Sequence, residues 1–493
     1  MDSVVESERA GGDQGLAALR KTARHDLARL NYPPANWVPE CAGPDGKRVL
    51  DVLVVGAGMC GQTVGYGLLR EGIGNIRVIE RETHGREGPW NTTARMPILR
   101  SPKHLTGPDL GVPSLTFRAW YEAQHGAGGW QKLYKIARLD WLSYLLWVRE
   151  VVGLKVENGV ALLKLEPAGD LLRATLSTGE TIHTRKVVMA NGRDGSGGFR
   201  WPSFPSFDPG DPRRKGRVFH TLEDIDFTKL AGKRIGVLGV LATAIDNACT
   251  ALEAGAAEAI CYARRPHLPQ VNKSKGVSFP GFQRGQGVLD DDWRWKIYTY
   301  MLAAGSPPPH ESVLRGQKLK GFSFRFAEPW TDVAVDKDGV TVTTTKSTER
   351  FDVVLFGTGF DIDMGRVKEL AAFSPNVKLW ADVRTPEEAK ADAEAARYPY
   401  LGPGFELLEK APGGTPRLGD IHLFNWGSIL SQGALAGDIP GLAFGVNRLV
   451  PAISNALFKG DIERHVQNMH ALEDPELAPT DYFVPRDKRA GTL

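Results

Sequence analysis

Two kinds of hydrophobic pattern follow one another near the start of the chain. Residues 49–55 are apolar except for Asp51, as in a strand that is buried on both faces of a parallel sheet. Met59–Arg70 is predicted to form a helix, and Ile76–Glu80 the next strand. Because strand, helix and strand fit within about 30 residues, they predict one β-α-β unit.

A second unit of this kind begins much later in the chain. An apolar strand is predicted for residues 233–238 and runs into Gly239, and a helix over 243–254 and a strand over 259–263 follow. Gly239 lies 183 residues after Gly56, the glycine that ends the first strand. The sequence therefore predicts an α/β protein with two Rossmann-like dinucleotide-binding domains, the second inserted in the first.

The segments between these units have weaker patterns. Residues 85–129 are rich in Pro, Arg and Trp without a sustained period, so long functional loops are expected there. The alternation over 160–183 predicts antiparallel strands, and residues 351–356 predict a strand that runs into Gly357-Thr358-Gly359.

Composition and charge exclude several classes of protein. The chain has 61 Lys and Arg against 58 Asp and Glu, a net charge of +3, which argues against binding nucleic acid or an anionic membrane by bulk charge. The chain has 56 glycines in 493 residues, which is a larger share than the usual one of about 7%. Many of them follow strands, where the backbone must turn tightly or approach a ligand.

Targeting signals and cysteine usage bear on the compartment. The first residues carry Asp and Glu without the apolar core of a secretory signal, and no stretch is long and apolar enough to span a membrane. The four cysteines are too scattered for a disulfide framework. We therefore expect a cytoplasmic protein without a membrane partner.

The first glycine motif is Gly56-Ala57-Gly58-Met59-Cys60-Gly61, a full G-x-G-x-x-G between a strand and a helix. Gly56 permits the tight turn, Gly58 lets the backbone approach a pyrophosphate, and Gly61 lets helix and strand pack closely. Glu80 follows 24 residues after Gly56, where a carboxylate can bind ribose hydroxyls. The motif predicts dinucleotide binding, with a merely structural turn as the alternative. The expected contacts include Cys60 and Arg81.

The second motif, Gly239-Val240-Leu241-Ala242-Thr243-Ala244, has leucine where the middle glycine belongs. A branched side chain there obstructs the approach to a pyrophosphate and disfavours a positive φ. Arg264 and Arg265 follow the next strand and could hold a 2′-phosphate. Two hypotheses stay open: an NADPH domain with a reshaped loop that includes Thr243, or a Rossmann half that binds nucleotide poorly.

The two motifs and their spacing resemble those of class B flavin-dependent monooxygenases, over about residues 50 to 450. The resemblance implies FAD at the first motif, NADPH at the second, and a small-molecule substrate together with O2. Gly357-Thr358-Gly359-Phe360 is similar to the family's A-T-G-[FY] segment, so Gly359 is expected to contact cofactor. The implied domains are an arm (1–48), the FAD domain (49–200 and 351–470), the inserted NAD(P)H-type domain (201–350) and a tail (471–493).

The resemblance also suggests catalytic residues. His220 ends a segment similar to the family fingerprint F-x-G-x-x-x-H, with Arg214 for the phenylalanine, and Asp224 replaces the usual aromatic residue. Trp90 lies in a turn similar to the family's G-x-W, and Asp438 in a Gly-Asp segment that approaches the flavin. The alternatives are a structural histidine, a core tryptophan and a helix N-cap.

Other chemistries leave no trace in the sequence. No metal-ligand spacing and no G-x-S-x-G nucleophile motif occurs, and aromatic residues are not interleaved with basic runs. The expected reaction is NADPH-dependent oxygenation of a small organic substrate at nitrogen or sulfur. The alternatives are Baeyer–Villiger oxygenation of a ketone, an FAD oxidase with a degenerate NADPH site, and a flavoprotein without turnover. A homodimer is one expectation, although no residue pattern bears on it.

Overall fold

The computed structural model describes residues 2–104, 107–474 and 476, with side chains from Gly12 onward. Its helices and strands follow one another in the order α1 (Asp2–Arg29), β1 (Leu50–Val55), α2 (Met59–Arg70), β2 (Ile76–Glu80), α3 (Phe117–Lys132), α4 (Arg138–Val151), β3 (Glu157–Asn158), β4 (Leu162–Ala168), β5 (Leu171–Leu176), β6 (Thr181–Met189), β7 (Val218–His220), β8 (Arg234–Leu238), α5 (Ala242–Glu253), β9 (Glu258–Tyr262), α6 (Pro280–Gly285), α7 (Asp291–Ala304), α8 (His310–Gln317), β10 (Phe322–Arg325), β11 (Trp330–Val335), β12 (Val340–Thr344), β13 (Thr348–Phe351), β14 (Val353–Phe356), α9 (Pro386–Ala391), α10 (Ala393–Ala396), β15 (Ile421–Leu423), α11 (Ile429–Gln432), α12 (Leu442–Gly460) and α13 (Ile462–Ala471).

The first sheet has the strand order β3-β2-β1-β6-β5-β4, and β15 pairs with the end of β6. Strand β1 runs parallel to β2 and β6, with Val55 beside Ile79 and Met189. Three strands therefore end at one edge of the sheet, where the segments that follow them meet. This edge carries the first glycine motif.

The second sheet has the order β10-β9-β8-β14-β7, and its strands are parallel. Leu238 lies beside both Tyr262 and Phe356, and Phe356 lies beside His220. A separate antiparallel sheet, β11-β12-β13, precedes β14 in the chain.

One domain boundary requires correction. The strand at 351–356 was assigned to the second part of the FAD domain, but β14 hydrogen-bonds to β7 and β8 in the inserted domain. The inserted domain thus extends to about Phe356, and the chain returns to the first sheet only through β15. The sequence did not reveal this because a buried apolar strand fits either parallel sheet equally well.

Two further predictions differ from the structure. Residues 85–129, expected to be loops, contain the start of α3, whose N-terminus is capped by the Thr116 hydroxyl. The leucine pattern of the N-terminal arm predicts a short amphipathic helix from Gly15 to Leu30. The structure has a longer helix, from Asp2 to Arg29, and its Ala23 and Leu27 are buried in the main core. The arm is therefore an integral layer of the first domain. The predicted C-terminal tail lies largely outside the described residues.

The described part of the chain contains no helix long and apolar enough to cross a membrane. Nor does it contain a group of three or more His, Cys, Asp or Glu side chains placed to hold a metal ion.

Candidate active site

The first glycine motif lies at the carboxyl edge of the first sheet and has the sterics of a nucleotide loop. Gly56 has φ 96°, and a Cβ there would lie 2.7 Å from the Ala190 carbonyl oxygen. A Cβ at Gly61 would lie 1.8 Å from the Gly56 carbonyl oxygen, so helix and turn are packed too closely for any side chain. Both positions require glycine for the reasons expected from the sequence.

Gly58 has a different role. It is the N-cap of α2, with φ −65°, and a Cβ there would meet nothing closer than the Gly88 Cα at 3.6 Å. Helix α2 has no side-chain cap and no acidic residue in its first turn, so its N–H groups and positive dipole end stay available to an anion. Open space in front of an uncapped helix fits the diphosphate of FAD.

The carboxylate of Glu80 ties the second strand to this loop. It is buried, and its two oxygens accept hydrogen bonds from the backbone N–H groups of Ala57 (2.8 Å) and Glu82 (3.0 Å). Burial raises the pKa of Glu80, and these hydrogen bonds oppose that shift. Arg81, the other residue expected to contact cofactor, forms an ion pair with Asp194 at 2.6 Å.

Cys60 brings two distant motifs together. Its Sγ accepts a hydrogen bond of 3.2 Å from the backbone N–H of Gly437, so the Gly-Asp segment lies against the first glycine motif. Burial raises the pKa of the Cys60 thiol to about 12, and it therefore stays protonated. The sequence predicted both segments as flavin contacts, and the fold places them side by side.

Asp438 follows Gly437 and is not the cap of the next helix. The N-cap of α12 is Gly441, without a side-chain cap, which removes the structural alternative for Asp438. Burial raises the pKa of Asp438, while the charges of Arg193 and Arg100 oppose that shift. A carboxylate between two arginines thus lies beside the FAD loop.

Trp90 is buried in the core of the first domain. Its ring packs edge-on against Trp141, at 6.3 Å between ring centroids, and its carbonyl accepts a hydrogen bond from Arg138. The indole N–H has no acceptor among the described residues. Gly88 packs against both Trp90 and Gly58, so the G-x-W turn supports the FAD loop, and a catalytic role for Trp90 remains a prediction.

The second glycine motif forms a similar turn. Gly239 has φ 121°, and a Cβ there would lie 2.7 Å from the Gly357 carbonyl oxygen. Helix α5 begins without a side-chain cap and without an acidic residue in its first turn. These features fit a nicotinamide dinucleotide as they fit FAD at the first motif.

The sequence predicted that Leu241 weakens pyrophosphate binding partly because a branched side chain disfavours a positive φ, and this reason is wrong. Leu241 is the N-cap of α5 with φ −97° and ψ −176°, an extended conformation that any residue adopts, so it causes no backbone strain. Its side chain is 44% exposed. Only its volume, at the place where Gly58 leaves open space in the first motif, can hinder a pyrophosphate.

The remaining residues predicted for this site are accessible. Arg264 and Arg265 are exposed just after β9 and form no ion pair with any other described residue, so both are free to bind a phosphate. Thr243 lies in the first turn of α5 and is half-buried.

His220 ends β7 in the interior of the protein. Its ring stacks on Phe199, 4.8 Å between centroids at an interplanar angle of 5°, and its Nδ1 accepts a hydrogen bond from the Leu222 N–H. Burial lowers its pKa to about 4. Gly359, at the next strand end, has φ 81°, and a Cβ there would meet only open space. His220 is therefore a neutral side chain that supports the crossing at Gly359.

We expect His220 to stay neutral from about pH 8 down to about pH 5. Because its folded pKa of about 4 lies below the unfolded value of 6.5, the free energy of unfolding should fall as the pH drops below 6.5. Nitrogen NMR of histidine-labelled protein tests this, with the signal of exposed His267 recorded in the same spectra for comparison. Titration of His220 between pH 6 and 7 would contradict the structure.

Ion pairs join the two domains around this cleft. Asp224, where Baeyer–Villiger enzymes carry an aromatic residue, pairs with Arg86 of the FAD domain at 2.9 Å. Glu311 of α8 accepts hydrogen bonds from Tyr134 and Lys135, each at 2.7 Å. The inserted domain is thereby held against the loops that carry Trp90.

Sequence reasoning missed the charged and aromatic groups at the centre of the cleft. Arg193 lies face-on over Trp426, with its guanidinium carbon 4.3 Å from the ring centroid, and interacts electrostatically with Asp438. Arg193 follows the end of β6 after the turn at Asn191-Gly192, and none of the motifs identified in the sequence includes it. Lys103 donates to the Trp130 and Leu133 carbonyl oxygens at the end of α3.

Two nucleotide loops, each at the carboxyl ends of the parallel strands of its own sheet, define an FAD- and NAD(P)-binding flavoprotein. In agreement, a family model described as FAD-NAD(P)-binding matches residues 53–194. The chain is 37% identical to the FAD-dependent urate hydroxylase of Xanthomonas campestris pv. campestris over 454 residues, which cover 92% of this chain and 95% of that protein. The chain belongs to this family of FAD-dependent hydroxylases and is an FAD-dependent oxidoreductase.

Solved structures share the fold. Ornithine hydroxylase from Pseudomonas aeruginosa has a TM-score of 0.63 at 15% identity, covering 83% of this chain and 100% of that chain. L-lysine 6-monooxygenase from Pseudomonas syringae has a TM-score of 0.62 at 17% identity, covering 83% and 99%. The predicted fold class is thereby confirmed. The match to the FAD-dependent urate hydroxylase and to the FAD-NAD(P)-binding family model confirms the FAD cofactor.

Proposed function

We propose that the protein is an NADPH-dependent FAD hydroxylase of a small, planar, anionic nitrogen heterocycle, with urate as the first substrate to test. The observation that carries this proposal is the pair of arginines, Arg193 and Arg100, at the junction of the two nucleotide loops. Neither forms an ion pair with a described residue, although both interact with Asp438. The urate hydroxylase relative supports the choice of substrate.

In this reaction FAD, when bound, accepts a hydride from NADPH and activates O2. The protein binds and orients the reactants and excludes water. Gly58 and the start of α2 would hold the FAD diphosphate, and the Cys60–Gly437 contact fixes Asp438 beside it. No dedicated general base is required, and His220 is buried and neutral.

The atom that receives oxygen is part of the proposal. The resemblance favoured nitrogen or sulfur, and urate contains nitrogen but no sulfur. Its ring nitrogens are amide-like, whereas its central carbon–carbon double bond carries amino substituents and is electron-rich. We therefore propose that oxygen is transferred to a ring atom of the heterocycle, with carbon favoured over nitrogen.

The test follows flavin absorbance, oxygen uptake and product mass. The holoenzyme is mixed anaerobically with NADPH, with and without urate, and is then exposed to ¹⁸O₂. We expect bleaching by NADPH, and a product that carries one labelled oxygen. NADPH oxidation that yields only hydrogen peroxide, whether or not urate is present, would contradict the proposal. Ketones and sulfides serve as comparison substrates for the other predicted reactions.

A second candidate function rests on Leu241. Its exposed side chain occupies the approach to α5, which favours an FAD oxidase that is reduced by its own substrate. In the same experiment an oxidase would be bleached anaerobically by urate and not by NADPH. The anaerobic step therefore distinguishes the two functions, because NADPH bleaches the flavin of a hydroxylase and urate bleaches the flavin of an oxidase.

We expect Leu241→Gly to lower the NADPH concentration that gives half-maximal flavin reduction by about 10-fold, because the side chain no longer hinders the pyrophosphate. Stopped-flow bleaching at increasing NADPH concentrations measures this. Leu241→Ala is the matched control, since it removes most of the side chain without adding backbone freedom, and it should give most of the gain. An unchanged concentration dependence in both variants would show that Leu241 does not restrict the site.

A further inference from the structure

Arg193 is held in place by aromatic rings from two distant segments. It follows β6 after the turn at Asn191-Gly192, and its guanidinium lies 4.3 Å from the centroid of Trp426 and 5.8 Å from that of Phe360. Phe360 directly follows Gly359, and Trp426 follows β15. The contacts place Arg193 where the chain crosses between the two nucleotide domains. A guanidinium stacked on a ring keeps its N–H donors along the edge.

These donors have no protein acceptor among the described residues. Other interior arginines differ: Arg149 pairs with Glu87 at 2.7 Å, and Arg200 pairs with Asp361 and Glu394. The surrounding protein lowers the pKa of Arg193, yet its side-chain surface is open to the cleft. Arg193 is exposed, so its charge is hydrated when no ligand is bound, and its unused donors can bind an anion that displaces this water.

The charges nearby indicate which anion fits. Arg193 and Arg100 both interact with Asp438, and Arg100 also interacts with Glu311, which pairs with Lys135 at 2.7 Å. Three cations against two carboxylates leave one positive charge in excess. Arg100 likewise forms no ion pair with a described residue. The rigid fork of a guanidinium matches two acceptors in one plane, such as the deprotonated N–C=O edge of a heterocycle. Trp426 and Phe360 supply flat apolar surface for its ring.

We propose that Arg193, stacked on Trp426, binds the anionic edge of the substrate and determines the specificity of the site for planar monoanions. This inference rests on the proposed function. The FAD diphosphate is the other anion nearby, because Ala190, three residues before Arg193, contacts Gly56. The uncapped start of α2 already provides a site for that diphosphate, and Phe360 is part of the inserted domain's crossing. Arg193 is thus assigned to the substrate.

The test measures urate binding to the oxidised holoenzyme by equilibrium dialysis, and FAD content by absorbance. We expect Arg193→Gln to raise the Kd for urate about 30-fold, and Arg193→Lys to raise it less, since lysine keeps the charge without the planar fork. The FAD-to-protein ratio should stay at the wild-type value. Tetramethyluric acid, which has no N–H to ionise, should bind wild type and Arg193→Gln equally. Arg118→Gln, on the surface of α3, is the matched control.

Each other outcome contradicts a stated part of the proposal. Loss of FAD with an unchanged Kd for urate would assign Arg193 to the FAD diphosphate. No change in either quantity would remove any role in ligand binding. If the wild-type protein does not bind urate, only the proposed substrate is contradicted. The role of Arg193 is then tested with orotate, which is also a planar anion. Equal affinity for orotate in wild type and Arg193→Gln would overturn the inference.

Discussion

A leucine at position 58 is expected to leave the purified protein without FAD, with the Kd for FAD raised more than about 100-fold. Gly58 is the N-cap of α2, and the space in front of it is bounded at 3.6 Å by the Gly88 Cα. A leucine side chain would fill this space and keep the diphosphate from the helix N-terminus, which supplies both hydrogen bonds and dipole. The ratio of flavin to protein absorbance after gel filtration measures the loss.

Gly58→Ala separates occlusion of the site from misfolding. Its Cβ would make only ordinary van der Waals contact, and φ −65° suits an L-residue. We expect this variant to fold and to retain FAD with a modest loss of affinity. The melting temperature of Gly58→Leu should match that of wild-type protein stripped of FAD, whereas Gly58→Ala, which keeps FAD, should melt close to the wild-type holoprotein. A Gly58→Leu protein that retains full flavin would overturn the assignment of the first motif.

Arg149→Met is expected to lower the free energy of unfolding by about 3 kcal/mol. The Glu87 side chain is fully buried and accepts hydrogen bonds from Arg149 (2.7 Å), Asn158 (2.8 Å) and the Gly85 N–H (2.7 Å). Removing Arg149 would leave a buried carboxylate without its counter-charge, although the other two donors remain. Since Glu87 precedes Gly88, FAD affinity should fall as well. Urea unfolding at pH 7 measures the change.

The pH dependence of the free energy of unfolding tests whether the Glu87 carboxylate causes the loss of stability in Arg149→Met. Burial would raise the pKa of Glu87, but the hydrogen bonds and Arg149 lower it overall. Ionised Glu87 therefore stabilises the folded protein above pH 4.5, the pKa of this group in the unfolded chain. This stabilisation is lost as the pH falls through the lower pKa that Glu87 has in the folded protein. The difference in unfolding free energy between wild type and Arg149→Met should therefore shrink towards pH 4.

Arg118→Met, which breaks the exposed pair with Glu122, is the control and should lower the free energy of unfolding by less than about 1 kcal/mol. A similar loss in both variants would contradict a special role for the buried pair.

Much of the nucleotide-binding framework could be predicted because its requirements are local. The turn at Gly56, the close packing at Gly61 and the helix that begins at Met59 depend on residues within a few positions of one another. The same reasoning found Gly239 and the strands on both sides of α5. Sterics of this kind are visible as residue types at fixed spacing.

The predictions that failed depended on distant partners. The strand at Val353–Phe356 pairs with β7 and β8, and nothing in its own apolar residues specifies that sheet. The Leu241 backbone was expected to be strained, whereas its extended conformation is ordinary.

By itself the sequence determined an α/β chain with two nucleotide loops, an intact one at Gly56 and an altered one at Leu241, because glycine sterics and strand–helix patterns act over short spans. The assignment of FAD to the intact loop came from the family resemblance. Only the tertiary structure decided what lies between them. Arg193, Trp426 and Asp438 come from separate segments, and their contacts exist only once the carboxyl ends of parallel strands meet at one edge. The charge of a cleft is set by groups that are neighbours in space, whose spacing along the chain carries no period that a sequence can reveal.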